Sequence, residues 1–185
     1  MKKFLYITLL FSTFLIAKSD PWYIKFTIGV GEPTYSGSYG TTYNAFISSS
    51  LGENFKTASD VELGLHFSLN NFILGYEFSS LNAIFVDSGN LSGGINYHQM
   101  HALDLAYFFG KEQSGIFLDT SIGYASLLQL DMANNYTSET IESGLGYSIG
   151  VGYRFDSFFI QYEFVQHLLD TYSFTANTGK IGWYI

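Results

Sequence analysis

Five residues could do chemistry: His98, His101, His167, Asp170 and Ser173. A histidine that takes a proton from a serine hydroxyl while a carboxylate orients the ring is the working arrangement of an esterase. It needs all three groups within hydrogen-bond reach. The chain has a single His-x-Ser spacing, His66 to Ser68, at the far end of a strand from these five. Metal chemistry has less support. On a strand, His98 and His101 fall on opposite faces, and the acids are scattered without the ligand-spaced run of a calcium loop. The expectation is therefore no catalytic residue, no cofactor site and no metal site.

The elements that must position these residues are strands. From Asp60 to Ser79 two alternating runs meet at Asn70 and Asn71. Val61, Leu63, Leu65, Phe67 and Leu69 take one face against Asp60, Glu62, Gly64, His66 and Ser68. Phe72, Leu74, Tyr76 and Phe78 then alternate with Ile73, Gly75, Glu77 and Ser79. A period of two is a strand signal, and asparagine tolerates the positive φ of a tight reverse turn. The same alternation runs through 22–31, about 96–109, 115–128, 145–155, 158–165 and 180–185. Eight strands result. Long connections are expected near 31–58, 86–95, 129–143 and 167–177, and short ones at 70–71, 110–114 and 156–157.

The ends and the charge narrow the class. Lys2 and Lys3, the apolar run 4–17 and the small residues Ala17 and Ser19 have the layout of a secretory signal peptide. This predicts a signal over 1–19 and one barrel domain over 20–185. Cleavage after Ser19 leaves five basic residues against sixteen acids, a net charge of −11. Such a surface repels a phosphate backbone, so nucleic acid is excluded as a partner. The chain has no cysteine, so an exported domain must stabilise itself by sheet closure and burial alone.

Alternation alone fits either a soluble sandwich or a transmembrane barrel. Sorted connections and an even strand count favour the barrel, with its short turns and both termini on the periplasmic side. On that orientation Trp22, Phe72, Tyr107, Phe109, Tyr153, Phe155, Phe158 and Trp183 share one outward rim, where an aromatic girdle belongs, and closure sets Trp22 beside Trp183. The inward set is Lys25, Asp60, Glu62, Glu77, Asp104, Asp119, Arg154, Glu163 and Lys180. Eight strands leave room only for side chains, so Lys25, Arg154 and Lys180 are expected to bridge the carboxylates. Glycines at 29, 64, 75, 123, 146, 150, 152 and 182 would make room for them.

The layout, with segments such as Gly146-Tyr147-Ser148-Ile149-Gly150-Val151-Gly152-Tyr153-Arg154-Phe155 and Trp183 in the terminal strand, resembles the small outer-membrane barrels of the OmpA transmembrane-domain and opacity-protein kind. The resemblance implies an all-β, eight-stranded antiparallel up-and-down transmembrane β-barrel in the cell outer membrane. It implies a non-enzymatic monomer that meets outer-membrane lipid and lipopolysaccharide, and a host or envelope protein through its external loops. The alternatives are a lipid A-modifying enzyme of the PagL deacylase kind and a soluble periplasmic barrel binding an apolar ligand. The first carries a His-x-Ser pair late in the chain; here Gln166-His167 is followed by Leu169 where that serine would stand.

Overall fold

The protein structure is a computed structural model that describes residues 22–37, 58–87, 92–110, 113–131 and 137–185. The signal-peptide segment and most of the long connection expected near 31–58 lie outside them. Eight strands follow in order: β1 (Trp22–Ser36), β2 (Ala58–Leu69), β3 (Phe72–Asp87), β4 (Ser92–Phe108), β5 (Gly115–Asp131), β6 (Thr137–Arg154), β7 (Phe158–Leu169) and β8 (Tyr172–Tyr184). Each pairs antiparallel with its neighbour in sequence, and β8 returns to β1, closing the barrel. Closure leaves no unpaired edge, which a lone sheet in lipid would otherwise expose.

The β2–β3 hairpin turns at Asn70 and Asn71, with Leu69 opposite Phe72 and Asn70 at φ 53°. That is the left-handed conformation asparagine was expected to supply. Gln113, also left-handed at φ 53°, ties the next turn to this one. Its amide donates to the carbonyls of Asn70 (2.8 Å) and Phe72 (3.3 Å) and to Ser68 Oγ.

Three expectations are corrected. The stretch 167–177 is no loop: His167 pairs with Phe174 and Leu168 with Ser173, leaving Asp170 and Thr171 as the turn. Likewise Val86 pairs with Gly93, and 137–143 belongs to β6, past a bulge at Leu127/Leu128. Long and short connections are therefore not sorted four against three. Only the β1–β2 connection, residues 37–57, is long. Finally, Trp22 does not meet Trp183. A closed barrel staggers its strands, so Trp183 pairs with Phe26 and their rings stack at 6.2 Å, while Trp22 packs edge-on against Phe67 at 5.2 Å.

The missed strand extensions share a cause, which also reveals how the barrel is layered. In the half nearest the termini, outward positions are apolar: Leu65 is 54% exposed and Ile149 58%, whereas inward Lys25 is 0% exposed and Arg154 9%. Toward the other end the polarity inverts. Glu32, Thr34 and Ser36, and Ser173, Thr175 and Asn177, face out, while Tyr35, Ala58, Leu81, Ala83, Ala125, Leu127, Val165, Leu169, Phe174 and Ala176 form an apolar core within. A pattern that changes sign along a strand no longer reads as an amphipathic strand of one kind, and its polar outward residues look like loop.

Candidate functional site

The interior holds three layers. Nearest the termini, Ile73, Ala106, Phe108, Phe117, Phe159 and Tyr184 pack together with Tyr23 against them. Phe108 to Phe117 and Phe117 to Phe159 lie 5.0 and 5.5 Å apart, ring to ring. Room for these rings comes from glycine. A Cβ at Gly152 would clash with Phe117 Cζ, and one at Gly182 with Phe159 Cζ. The inward glycines thus serve the aromatic layer as much as the long charged side chains for which they were expected to make space, although Gly29 does lie against Lys180 Cγ.

Above that layer sits the buried charge. Lys25 Nζ lies 2.7 Å from Glu77, 3.2 Å from Asp119, 3.4 Å from Asp104 and 3.9 Å from Glu62. Lys180 Nζ lies 3.0 Å from Asp60 and bonds Glu62 and Glu163. Glu62 therefore links both lysines, and it also accepts a hydrogen bond from Thr27 Oγ1 at 2.8 Å. His66 Nε2 contacts Asp104 Oδ2 at 2.7 Å, and Ser148 Oγ donates to Glu163 at 2.8 Å. Charges taken out of water hold only when paired and hydrogen-bonded. Lys25 and Lys180 bridge the carboxylates as expected.

Arg154 does not. Its guanidinium lies in the aromatic layer, 4.8 Å from the Tyr184 ring centre, 5.5 Å from Tyr23 and 5.8 Å from Phe108, and its Nε donates to the Asp156 carbonyl. Height along the strand explains the difference. Arg154 is the last residue of β6, one layer below the acids, where the planar cation stacks on ring faces instead.

Two groups of three potential ligands lie together, Asp60, Glu62 and Glu163, and His66, Glu77 and Asp104. Lys180 Nζ contacts every member of the first, and Lys25 Nζ contacts Glu77 and Asp104 of the second. Each group already has a cation of its own, so a metal would have to displace a fully buried ammonium.

The candidate esterase residues do not come together. His98 points inward in the external layer, its Nε2 at 2.8 Å from Tyr35 Oη and its ring stacked 3.8 Å from Phe174. His167 is also buried there, 6.0 Å from His98, with neither ring nitrogen hydrogen-bonded to a described residue. His101 faces outward and pairs with Tyr76 Oη through Nδ1. Ser173 pairs with Ser36 on the outer wall, and Asp170 is in the turn. The pleat separates inward His98 from outward His101 and Ser173, and the ring separates the last two, which stand on β4 and β8, four strands apart. His66 and Ser68 are also apart in chemistry, one bound to Asp104 and the other to Gln113.

Outside, 27 large apolar side chains stand exposed among the described residues, far more than the few-hundred-Å² patches of soluble monomers. From Val61 to Leu69 on β2 the belt is about 20 Å tall, taking roughly 3.3 Å per residue and a tilt near 40°. A soluble barrel would have to leave this belt in water.

No family model matches the chain, and no curated protein matches it in sequence. Among solved structures it is similar to Ail, the attachment invasion locus protein of Yersinia pestis, in complex with the heparin analogue sucrose octasulfate. The identity is 14% and the TM-score 0.61, over 89% of this chain and 99% of that one. It is also similar to Neisserial surface protein A, with 9% identity and a TM-score of 0.56 over 86% and 96%. Outer membrane protein OprG of Pseudomonas aeruginosa follows, with 11% identity and a TM-score of 0.50 over 91% and 97%. The likeness is one of fold, and by it the chain has the closed, eight-stranded antiparallel barrel of small bacterial outer-membrane proteins.

Proposed function

We propose that this protein is a non-enzymatic barrel of the bacterial outer membrane that works through its external wall and loops, with the termini on the periplasmic side. The observation that carries the reading is the change of sign along one closed sheet. An apolar exterior over a charged interior suits hydrocarbon, and a polar exterior over an apolar interior suits water. The polar wall from Glu32 to Ser36 extends the barrel by roughly 10 Å, taking 3.3 Å per residue and the same tilt.

The partners that fit are outer-membrane lipid and lipopolysaccharide around the belt, and a host or envelope protein at the external end. Ail has been captured with a polysulfated sugar. Here Lys25, Arg154 and Lys180, the basic residues among those described, are all inside the barrel. Contacts made by the described wall therefore rest on hydroxyls and amides and not on cations. The protein is expected to need detergent for extraction from membranes and to migrate faster on a gel unheated than boiled. Release by salt or osmotic shock would refute the membrane reading.

A further inference from the structure

Inside the external half of the barrel four rings converge. Phe174 of β8 pairs with Tyr35 of β1 on one side and His167 of β7 on the other. His98 reaches it from β4, on the far side of the ring, and stacks on it at 3.8 Å. His98 itself stands between its register partners Leu81 and Leu127, so two fully buried imidazoles share a mostly apolar layer. Tyr35 Oη holds His98 through Nε2 at 2.8 Å. His98 Nδ1 and both ring nitrogens of His167 are buried without a hydrogen-bond partner among the described residues. Buried polar atoms seldom go unpaired, and those that do call for a bound ion, a water or a functional role.

The spacing of the two rings fits one shared ion. An imidazole nitrogen binds a transition metal at about 2.0 Å and lies about 1.1 Å from its ring centre, so two rings on one ion have centres at most about 6.2 Å apart. The 6.0 Å between His98 and His167 falls just inside that limit and requires a wide nitrogen–metal–nitrogen angle. Tetrahedral zinc takes a narrower one, whereas a monovalent copper ion accepts two nearly collinear nitrogens. With the ion on His98 Nδ1, Nε2 carries the ring proton and donates it to Tyr35 Oη. Such an outer partner fixes the tautomer and orientation of a metal-bound histidine.

A soft third donor lies close by. Met100, two residues from His98 on the same inward face of β4, lays its Sδ over Gly146, where a Cβ would clash with it. Gly146 is the residue that pairs with His167 across β6 and β7, so the glycine admits the sulfur beside the strand position that carries the second imidazole. Thioether sulfur selects monovalent copper over harder ions.

We propose that His98, His167 and Met100 form a site for one monovalent copper ion within the external half of the barrel, with Tyr35 as a positioning residue. This departs from the expectation of no metal site, because no local spacing joins residues of β4 and β7 that only closure of the ring brings together. The site goes beyond the membrane reading, and its failure would leave that reading intact.

The test is copper uptake. The barrel is refolded into detergent with and without copper kept monovalent by ascorbate, and bound metal is measured in competition with a chromogenic copper(I) chelator. The wild type should hold one copper per barrel, with both nitrogen and sulfur neighbours in X-ray absorption, and should bind zinc more weakly. His167→Leu should abolish uptake without lowering the unfolding temperature of the metal-free barrel, since leucine leaves no buried polar atom unpaired. Met100→Leu, close in volume, should weaken copper binding and remove the sulfur signal while leaving zinc unchanged. Tyr35→Phe should weaken copper binding roughly 10- to 100-fold, the usual cost of losing an outer partner. Heat-modifiable migration establishes that each variant is folded, and should His167→Leu not fold, Met100→Leu and the sulfur signal decide. No copper on the folded wild type, a spectrum without sulfur, zinc held as tightly as copper, or undiminished copper on any folded variant overturns the site.

Discussion

Replacing Lys25 by methionine keeps the length and apolar stem of the side chain and removes only the ammonium. The structure then leaves Glu77, Asp119 and Asp104, which lie within 3.4 Å of Nζ, without their shared cation in a layer closed to solvent. Breaking a buried pair by deleting one partner costs about 3 to 5 kcal/mol, because the other charge stays buried and uncompensated. Three near acids and full burial place Lys25→Met toward the upper end of that range. The nearest acid should recover part of the loss. Adding Glu77→Gln to Lys25→Met removes one uncompensated charge, and a coupling of roughly 1 to 3 kcal/mol is expected between residues in direct contact. The assay is denaturant unfolding of the folded barrel in micelles, followed by the fluorescence of Trp22 and Trp183, which lie outside the charge layer and report unfolding without touching the mutated site. Fitted midpoints for the wild type, both single variants and the double close the cycle. A loss under about 1 kcal/mol for Lys25→Met, the range of an exposed ion pair, would mean that water reaches this layer. A double variant no more stable than Lys25→Met would mean that Glu77 is not the acid held by Lys25. Either result refutes the network as drawn.

The faces and heights can be tested by arginine. At Val151, outward in the middle of the belt, Val151→Arg should destabilise the barrel in bilayers by about 2 to 4 kcal/mol, whereas Ser59→Arg, outward beyond the belt on β2, should stay within about 0.5 kcal/mol. Equal costs in bilayer unfolding would mean the belt boundary is misplaced. The interior should also be closed to ions. Phe108, Phe117, Phe159 and Tyr184 fill one end, while Tyr35 and the His98 and Phe174 stack fill the other. Planar-bilayer recordings should therefore give no stable channel for the wild type, nor for Phe108→Ala with Phe117→Ala, which loosens only one of the two seals. A steady channel in either would show that the external layer does not close the barrel.

Much of the fold is legible in the chain because a strand facing lipid on one side and a charged interior on the other must alternate at every residue. Val61 to Leu69 against Asp60 to His66 is such a run, and it gave the correct face for Lys25, Asp104, Glu163 and Lys180. The external half was misread for the same reason. Between Tyr172 and Asn177, alternation continues with its sign reversed, polar outside and apolar inside, so Thr175 and Asn177 looked like loop and Phe174 and Ala176 like chance. Had the two signs been read as one strand crossing an interface, β7 and β8 would have reached their two-residue turn. The candidate esterase residues were legible as types but not as neighbours. His98 on β4 and Ser173 on β8 share the external end but stand four strands apart around the ring, and the pleat sends one inward to Tyr35 and the other outward to Ser36.

By itself the sequence determined which residues alternate, and hence a sheet with one charged and one greasy side, because period-two patterning is a local property of each strand. Tertiary structure decided what no single strand contains. The stagger set Trp183 beside Phe26 and not Trp22, closure gathered acids from β2, β3, β4, β5 and β7 around Lys25 and Lys180, and Arg154 fell one layer short of them. Those distances depend on how the register accumulates around the whole ring, and that sum is fixed only when the last strand meets the first.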